Sequence, residues 1–129
     1  MTGIDNRLEQ KIGFDRIRRI ISDKCSTTYA AGRTATETFS AKPSQIRKRL
    51  LLTDEMRLIM MFEDGFPSSG FIDCIDFLKP LENSSSAIDI ISLRKLKTML
   101  DTLRRVTAFF EDVKDGVYPN LKRMSASIL

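Results

Sequence analysis

The chain has 129 residues, a formal net charge of +4 and 42% hydrophobic residues, a balance that favours one folded domain over a disordered chain. It contains no histidine, which removes the most common general base and metal ligand and excludes Ser-His and Cys-His nucleophile pairs. No apolar run reaches the roughly 18 residues that span a bilayer, and the N-terminus lacks the features of a signal peptide. We therefore expect one cytoplasmic domain over residues 1–129, with no membrane contact.

Apolar residues at helical spacing begin near the N-terminus. Ile4 and Ile12 belong to one stripe, Gly13 interrupts it, and Phe14 opens a second stripe that runs to Cys25. This spacing predicts two consecutive helices that are broken at the glycine.

Two helix-start signals follow. Residues 26–28 read Ser-Thr-Thr and predict the N-cap of a short helix over residues 28–38, which is rich in small side chains. Pro43 suits the first turn of a long helix that we expect to extend to about Asp64. The Phe-Pro pair at residues 66–67 prevents its continuation.

The second half of the chain predicts a short helix over residues 72–79 and a long helix over residues 89–115, with a further helical turn after Tyr118. Residues of the long helix recur in steps of three and four, and we interpret them as its buried spine: Leu93, Leu96, Leu100, Leu103, Thr107 and Phe110. On this interpretation Leu100→Asp should unfold the domain, because it buries an unpaired charge.

No segment alternates with period two for long enough to form a strand. The expected fold is therefore all-α, a helical bundle of about five or six helices in which two long helices pack antiparallel. The apolar pattern continues to Leu129 without a polar tail, and we expect the chain to be the N-terminal part of a larger protein.

The sequence offers no recognisable catalytic machinery. It contains no phosphate-binding glycine loop, no dinucleotide-binding glycine pattern and no Cys-x-x-Cys pair. Asp73 and Asp76 could share a helix face around a cation, but we interpret them as surface acids near a helix start. We interpret Cys25 and Cys74 as reduced core residues. We predict no catalytic, cofactor-binding or metal-binding residue in this chain.

Basic doublets recur along the helices. They are either the solvated face of amphipathic helices or contacts to DNA phosphates, and in an autonomous DNA binder they would make affinity fall steeply with salt. The candidate phosphate contacts are Arg18, Arg19, Arg47, Lys48, Arg49, Arg104 and Arg105.

Three phrases of the chain resemble the N-terminal end of the MutS-like DNA-repair ATPases. They are Leu-Glu-Gln-Lys-Ile-Gly-Phe-Asp-Arg-Ile at residues 8–17, Cys25 followed by the Gly-Arg pair at residues 32–33, and Thr-Asp-Glu-Met-Arg at residues 53–57. The resemblance extends from about residue 8 to residue 118. It is nearest to the branch that lacks the mismatch-reading domain and carries a C-terminal Smr nuclease domain.

This resemblance implies that the chain is a non-catalytic core and lever segment, which relays changes between bound DNA and the ATPase. ATP and magnesium would bind only in a C-terminal part that this chain lacks, so no cofactor is expected here. The implied partners are the rest of its own chain, DNA through the full-length protein, and a second copy in a full-length homodimer active in DNA repair or recombination control. The alternative is a free-standing helical module that binds a partner protein through an apolar groove.

Overall fold

The structure, a computed structural model, describes residues 6–83 and 86–128, and Ile4 and Leu129 of the predicted apolar pattern lie outside them. These residues form helices and no strand, which confirms the all-α class. They contain seven α-helices, one or two more than predicted, and one short 3₁₀ helix. The elements are α1 (Asn6–Ile12), α2 (Phe14–Asp23), α3 (Thr28–Thr36), α4 (Pro43–Phe62), α5 (Ile75–Leu78), the 3₁₀ helix (Lys79–Glu82), α6 (Ile90–Asp112) and α7 (Pro119–Ser125).

Helices α1, α2 and α3 pack on one another in chain order. Gly13 separates the first two with a φ of +76°, a left-handed conformation that a side chain would strain. Thr27 is the predicted N-cap of α3, and its hydroxyl accepts the N–H of Ala30. No residue of α2 is buried, so this three-helix unit has a thin core.

Arg18 holds the three-helix unit together. Its guanidinium donates to both carboxylate oxygens of Glu9 on α1, at 2.9 and 2.8 Å, and to the carbonyls of Thr34 and Glu37 at the end of α3. It also lies 5.0 Å above the ring of Phe14. The Arg18 side chain is only 18% exposed. One arginine therefore bridges α1, α2 and α3.

The main core lies where α4, α6 and α7 meet. Its fully buried apolar residues are Ile59 of α4, Val106 and Phe110 of α6, and Leu121 of α7. Partly buried residues complete the cluster: Leu52, Met56, Phe66, Phe71, Phe109 and Tyr118. Side chains of both long helices therefore contribute to one core, and α7 packs against each of them.

A buried carboxylate joins α4 to α7. Glu55 is 8% exposed, and its two oxygens accept the backbone N–H groups of Asn120 and Leu121 and the Asn120 side-chain amide, at 2.7 to 3.1 Å. The first N–H groups of a helix have no partner within the helix, so this acid satisfies the start of α7. One helix thus caps another across 65 residues of sequence.

The buried face of α6 includes only part of the predicted spine. Leu93 and Leu100 are 50% and 51% exposed and Phe110 is buried, whereas the other members of the spine are half-buried. The buried residues of α6 are Thr102, Val106 and Phe110, so the face that meets α4 and α7 is rotated away from Leu93 and Leu100. The premise of the Leu100→Asp prediction, that this side chain is buried, is therefore wrong.

Polar contacts of Asp73 and Arg49 connect the three-helix unit to the rest of the described residues. Asp73, before α5, accepts the backbone N–H and the hydroxyl of Thr28 at 2.6 and 2.8 Å, and the N–H of Tyr29 at 3.4 Å. Arg49 of α4 pairs with the carboxylate of Glu37 just after α3. The unit is therefore joined to α4 and to the α4–α5 loop by polar contacts.

Candidate functional site

The molecule exposes far more surface than its mass requires. Its solvent-accessible area is 10,463 Å², whereas a compact monomer of 14.7 kDa is expected to expose about 6,900 Å². Much of this surface belongs to large hydrophobic side chains that are more than a third exposed, and they recur on α1, α2, α4 and α6. Exposed apolar helix faces are typical of surfaces that pack against other protein, and these faces are the candidate functional site.

Helix α4 has two apolar faces. One carries Glu55 and Ile59 and is buried against α6 and α7. Leu50 and Met61 lie close to the opposite side, because a residue advances by about 100° around a helix, and they are 64% and 60% exposed. A helix that is apolar on both sides is typical of a position between two packed layers. Within residues 6–83 and 86–128, only the side of α4 that carries Glu55 and Ile59 is covered.

The exposed face contains a shallow apolar depression over the first three turns of α4, which we call the α4 patch. Its apolar members are Pro43, Ile46, Leu50 and Leu51, and its polar members are Arg47 and Asp54. All six side chains are more than a third exposed, and no other described element covers them.

The two charged members of the α4 patch differ in their partners. Asp54 receives two hydrogen bonds from Arg57, one turn further along the helix, both at Oδ1 and at 2.8 and 3.0 Å. Its Oδ2 is not engaged by them. Arg47 makes no hydrogen bond or ion pair with residues 6–83 or 86–128. Beside its leucines the patch therefore presents the Arg47 guanidinium, which has no partner among the described residues, and the Asp54 carboxylate, whose Oδ2 accepts no hydrogen bond from Arg57.

Further apolar surface lies on α2 and at the start of α6. Ile17, Ile20 and Ile21 of α2 are each about half exposed, although the helix is strongly amphipathic. Ile90 and Ile91 open α6 with 70% and 66% of their surface exposed. The uncovered apolar surface is thus spread over several faces of the molecule.

The predicted phosphate contacts lie on three helices, and the structure separates their roles. Arg18 is occupied by Glu9 and two carbonyls and only 18% of its side chain is exposed, so little of its guanidinium is accessible to a phosphate. Its hydrogen bond holds the pKa of Glu9 below its usual range, which keeps that acid ionised beside it. Arg49 pairs with Glu37 and is half exposed.

The remaining basic candidates lie in different surroundings. Lys48 lines a groove between α4 and α7 together with Asn120 and a second cation, Arg123. Arg105 shares a depression with one further cation, Lys114, and with the acids Glu63 and Asp112, so the depression carries no net excess of positive charge. Arg19 and Arg104 are exposed on α2 and α6, and Arg47 belongs to the α4 patch.

One of the two acids predicted as surface residues, Asp73, stabilises the start of a helix. Asp73 caps α3, and the hydrogen bonds that it accepts, first of all from the Thr28 N–H, lower the pKa of its carboxyl. Among residues 6–83 and 86–128, no group of three or more acids, cysteines or histidines could hold a metal ion.

Both cysteines are free thiols. Cys74 is buried, and burial raises the pKa of its thiol, whereas Cys25 is half-buried. The interpretation of both as core residues therefore holds for Cys74 and only in part for Cys25.

Comparison with known protein families, with curated proteins and with solved structures found no match to this chain. In the part of the chain that the structure describes, no helix combines the length and apolar character needed to cross a membrane.

The sequence analysis missed the α4 patch. It assigned the whole wide apolar face of α4 to one core, because periodicity alone shows that a helix is apolar but not how many layers contact it. The signal was present in the spread of apolar residues around α4, where Leu50, Leu51 and Met56 point in different directions around the axis.

Proposed function

We propose that this chain is a non-catalytic helical scaffold, the core and lever segment of a MutS-like DNA-repair ATPase. The observation that carries the proposal is the exposed apolar helix surface, above all the second face of α4. Such surface is expected of a segment whose helices continue into the packing of a larger protein. The phrases that resemble the MutS-like family support the same assignment, and so does the order of short and long helices.

In this proposal the mechanism is mechanical. The two long helices, α4 and α6, form the antiparallel pair of a bundle, and α7 joins them through its hydrogen bonds to Glu55 of α4 and through apolar packing on α6. A change at one end would then move the helices as a rigid body and alter packing at the other end. ATP hydrolysis, magnesium and nuclease chemistry belong to other parts of the protein, and its location is the cytoplasm.

DNA contact in this proposal is weak and non-specific. The candidate phosphate contacts are Arg18, Arg19, Arg47, Lys48, Arg49, Arg104 and Arg105. Arg18 has the least accessible guanidinium of these, and Arg123 adds a cation beside Lys48. They would contribute through the full-length protein and would show the usual loss of affinity with salt.

The second candidate is a free-standing interaction module, and the α4 patch is the observation that favours it. The patch is shallow, apolar and uncovered, as a docking groove for a partner helix would be. A free module requires no ATPase elsewhere in the same polypeptide.

Reading the source gene past the codon for Leu129 separates the two. The scaffold proposal expects an open reading frame that encodes a Gly-x-x-x-x-Gly-Lys-Ser/Thr motif a few hundred residues downstream, which is the phosphate loop of the ATPase. A stop codon directly after Leu129 would contradict the scaffold proposal and leave the interaction module.

A further inference from the structure

The three-helix unit is attached to the rest of the described residues at both ends of α3. At the start of α3, Asp73 accepts the backbone N–H and the hydroxyl of Thr28. Just after its end, Arg49 of α4 pairs with Glu37 and donates to the carbonyl of Thr38 at 3.4 Å. Since α3 has nine residues, these two attachments are about 13 Å apart along its axis.

The connection from α3 to α4 divides between two neighbouring residues. The ring of Phe39 lies 5.1 Å from the ring of Phe14 on α2, so Phe39 belongs to the three-helix unit. The hydroxyl of Ser40 donates to the side-chain oxygen of Gln45 at 2.8 Å and accepts the N–H of Lys42 at 3.2 Å, so Ser40 belongs to the start of α4. The backbone between Phe39 and Ser40, which lies outside any helix, is therefore the natural pivot between the two parts.

The three-helix unit is built to move as one body. Arg18 bridges its three helices through hydrogen bonds to Glu9 and to the carbonyls of Thr34 and Glu37. Among the described residues, the apolar core at α4, α6 and α7 takes no member from α1, α2 or α3. Parts of a chain that meet without a large apolar interface are expected to move relative to each other.

The loop that carries Asp73 is attached to α6. The hydroxyl of Thr102 donates to the carbonyl of Gly70 at 2.9 Å, and the N–H of Ile72 donates to the sulfur of Met99 at 3.4 Å. The pivot is thus fixed to α4, whereas Asp73 is fixed to α6. The position of α6 relative to α4 therefore determines whether Asp73 can reach the start of α3.

We propose that the three-helix unit is a hinged arm, which pivots on α4 at residues 39–40 and is held to α6 by a latch, the hydrogen bonds from Thr28 and Tyr29 to Asp73. With the latch closed, the unit is fixed against both long helices. A displacement of α6 relative to α4 opens the latch first, because it lies far from the pivot, and the unit then turns as a rigid body. The proposal does not rest on the proposed function, because it uses only contacts within this chain.

The distance between two spin labels, measured by double electron–electron resonance on the 129-residue chain, tests the proposal. The labels are attached to Arg19→Cys on α2 and Arg104→Cys on α6, which are both exposed, in a chain that carries Cys25→Ala and Cys74→Ala. With the latch intact we expect one narrow distance. Asp73→Ala should raise the population at other distances at least about tenfold, since it removes hydrogen bonds to a charged group.

Two control variants locate the latch. Asp76→Ala removes an exposed acid three residues further along and should leave the distance unchanged. Arg49→Ala removes a half-exposed ion pair beside the pivot and should raise the population at other distances by less than about fivefold.

Hydrogen exchange distinguishes a rotation of the three-helix unit from its unfolding. In Asp73→Ala the interior amides of α2 and α3 should keep their protection, because Arg18 still joins these helices. Circular dichroism should show unchanged helix content in the doubly labelled parent chain and in each variant.

Three outcomes would overturn the proposal. They are an unchanged distance in Asp73→Ala, an Arg49→Ala variant that opens the unit as much as Asp73→Ala does, and a loss of protection throughout α2 and α3 in Asp73→Ala. None of them would bear on the downstream ATPase motif, and absence of that motif would leave the hinged arm standing.

Discussion

Single carboxylates determine how the helices of this protein meet. Glu55 of α4 accepts three hydrogen bonds at the start of α7, and Glu63, two turns later, accepts the hydroxyl hydrogen bond of Tyr118 at 2.9 Å. That bond, together with partial burial, raises the pKa of the Tyr118 phenol. Tyr118 itself has a φ of +48°, so the entry into α7 is held in a conformation that its side chain does not favour.

Replacing Glu55 by Gln tests the cap of α7. The amide keeps one acceptor oxygen but turns an N–H₂ group toward the Leu121 N–H, which leaves buried donors facing one another. We expect a loss of about 2 kcal/mol in the free energy of unfolding, measured by urea denaturation. Glu111→Gln, at an exposed position of α6, is the control and should change it by less than about 0.5 kcal/mol. Equal losses in both variants would contradict the cap.

Gly70 is a second residue on which packing depends. Its φ is +89°, and a Cβ placed on it would lie only 2.4 Å from the Thr102 hydroxyl oxygen, a buried group on α6. Gly116 has a similar φ of +84° but open space around it. Gly70→Ala and Gly116→Ala therefore share the backbone strain, and only the first adds a steric overlap. We expect Gly70→Ala to be the more destabilising by about 1–3 kcal/mol in thermal unfolding, and equal effects would contradict the close approach.

Asp73 makes the attachment of α3 depend on pH. Hydrogen bonds hold its folded-state pKa below the unfolded-state value of about 3.9, so its stabilisation is present above that value and is lost as pH falls through the folded-state pKa. Asp73→Asn should therefore lower the melting temperature at pH 7, and the gap to the unaltered chain should close as pH falls through the folded-state pKa of Asp73. Asp76→Asn, on exposed α5, should open no gap at pH 7. A gap that persists in acid would contradict the role of the charge.

Helix caps that form within one turn could be predicted from the sequence, whereas caps supplied by distant residues could not. The cap at Thr27 and the proline at the start of α4 depend on residues within one turn, and the structure has both. Asp73 caps a helix 45 residues away and Glu55 one 65 residues away, so neither pairing leaves a trace in the local pattern.

The helices themselves follow the sequence closely, but their buried faces do not. The long helices were predicted at residues 43–64 and 89–115 and lie at Pro43–Phe62 and Ile90–Asp112, and Asp89 caps α6 through the Ser92 N–H. Hydrophobic periodicity locates a helix well because it follows the 3.6-residue repeat. It did not show which part of the wide apolar stripe on α6 is buried, because only the position of α7 selects the side that contains Val106.

Helix α6 provides a direct test of which stripe is buried. Val106→Asp introduces an unpaired charge among Ile59, Phe110 and Leu121, and we expect it to destabilise the chain by about 3 kcal/mol or more. Leu100→Asp places the same charge on a side chain that is 51% exposed, and it should cost less than about 1 kcal/mol. Denaturant melts of the two variants give the comparison, and the reverse order of effects would restore the leucine spine.

The whole molecule combines a small core with a large apolar surface. Four residues form the buried cluster, whereas α1, α2, the α4 patch and the start of α6 leave apolar faces in solvent. Composition could predict a helical domain, but it could not predict this distribution, because a fraction of apolar residues does not tell how many of them are covered. Our account assigns the uncovered faces, including the α4 patch, to contacts with further protein surface.

The most direct test of this account is the fluorescence of an apolar dye such as ANS with the folded 129-residue chain at low concentration. We predict strong dye binding together with a cooperative thermal transition, and a marked loss of binding when polar residues replace Ile17, Ile21 and Leu50 at unchanged helix content. Dye binding no stronger than that of a compact all-α protein would contradict the claim that these faces are exposed for packing against other protein surfaces.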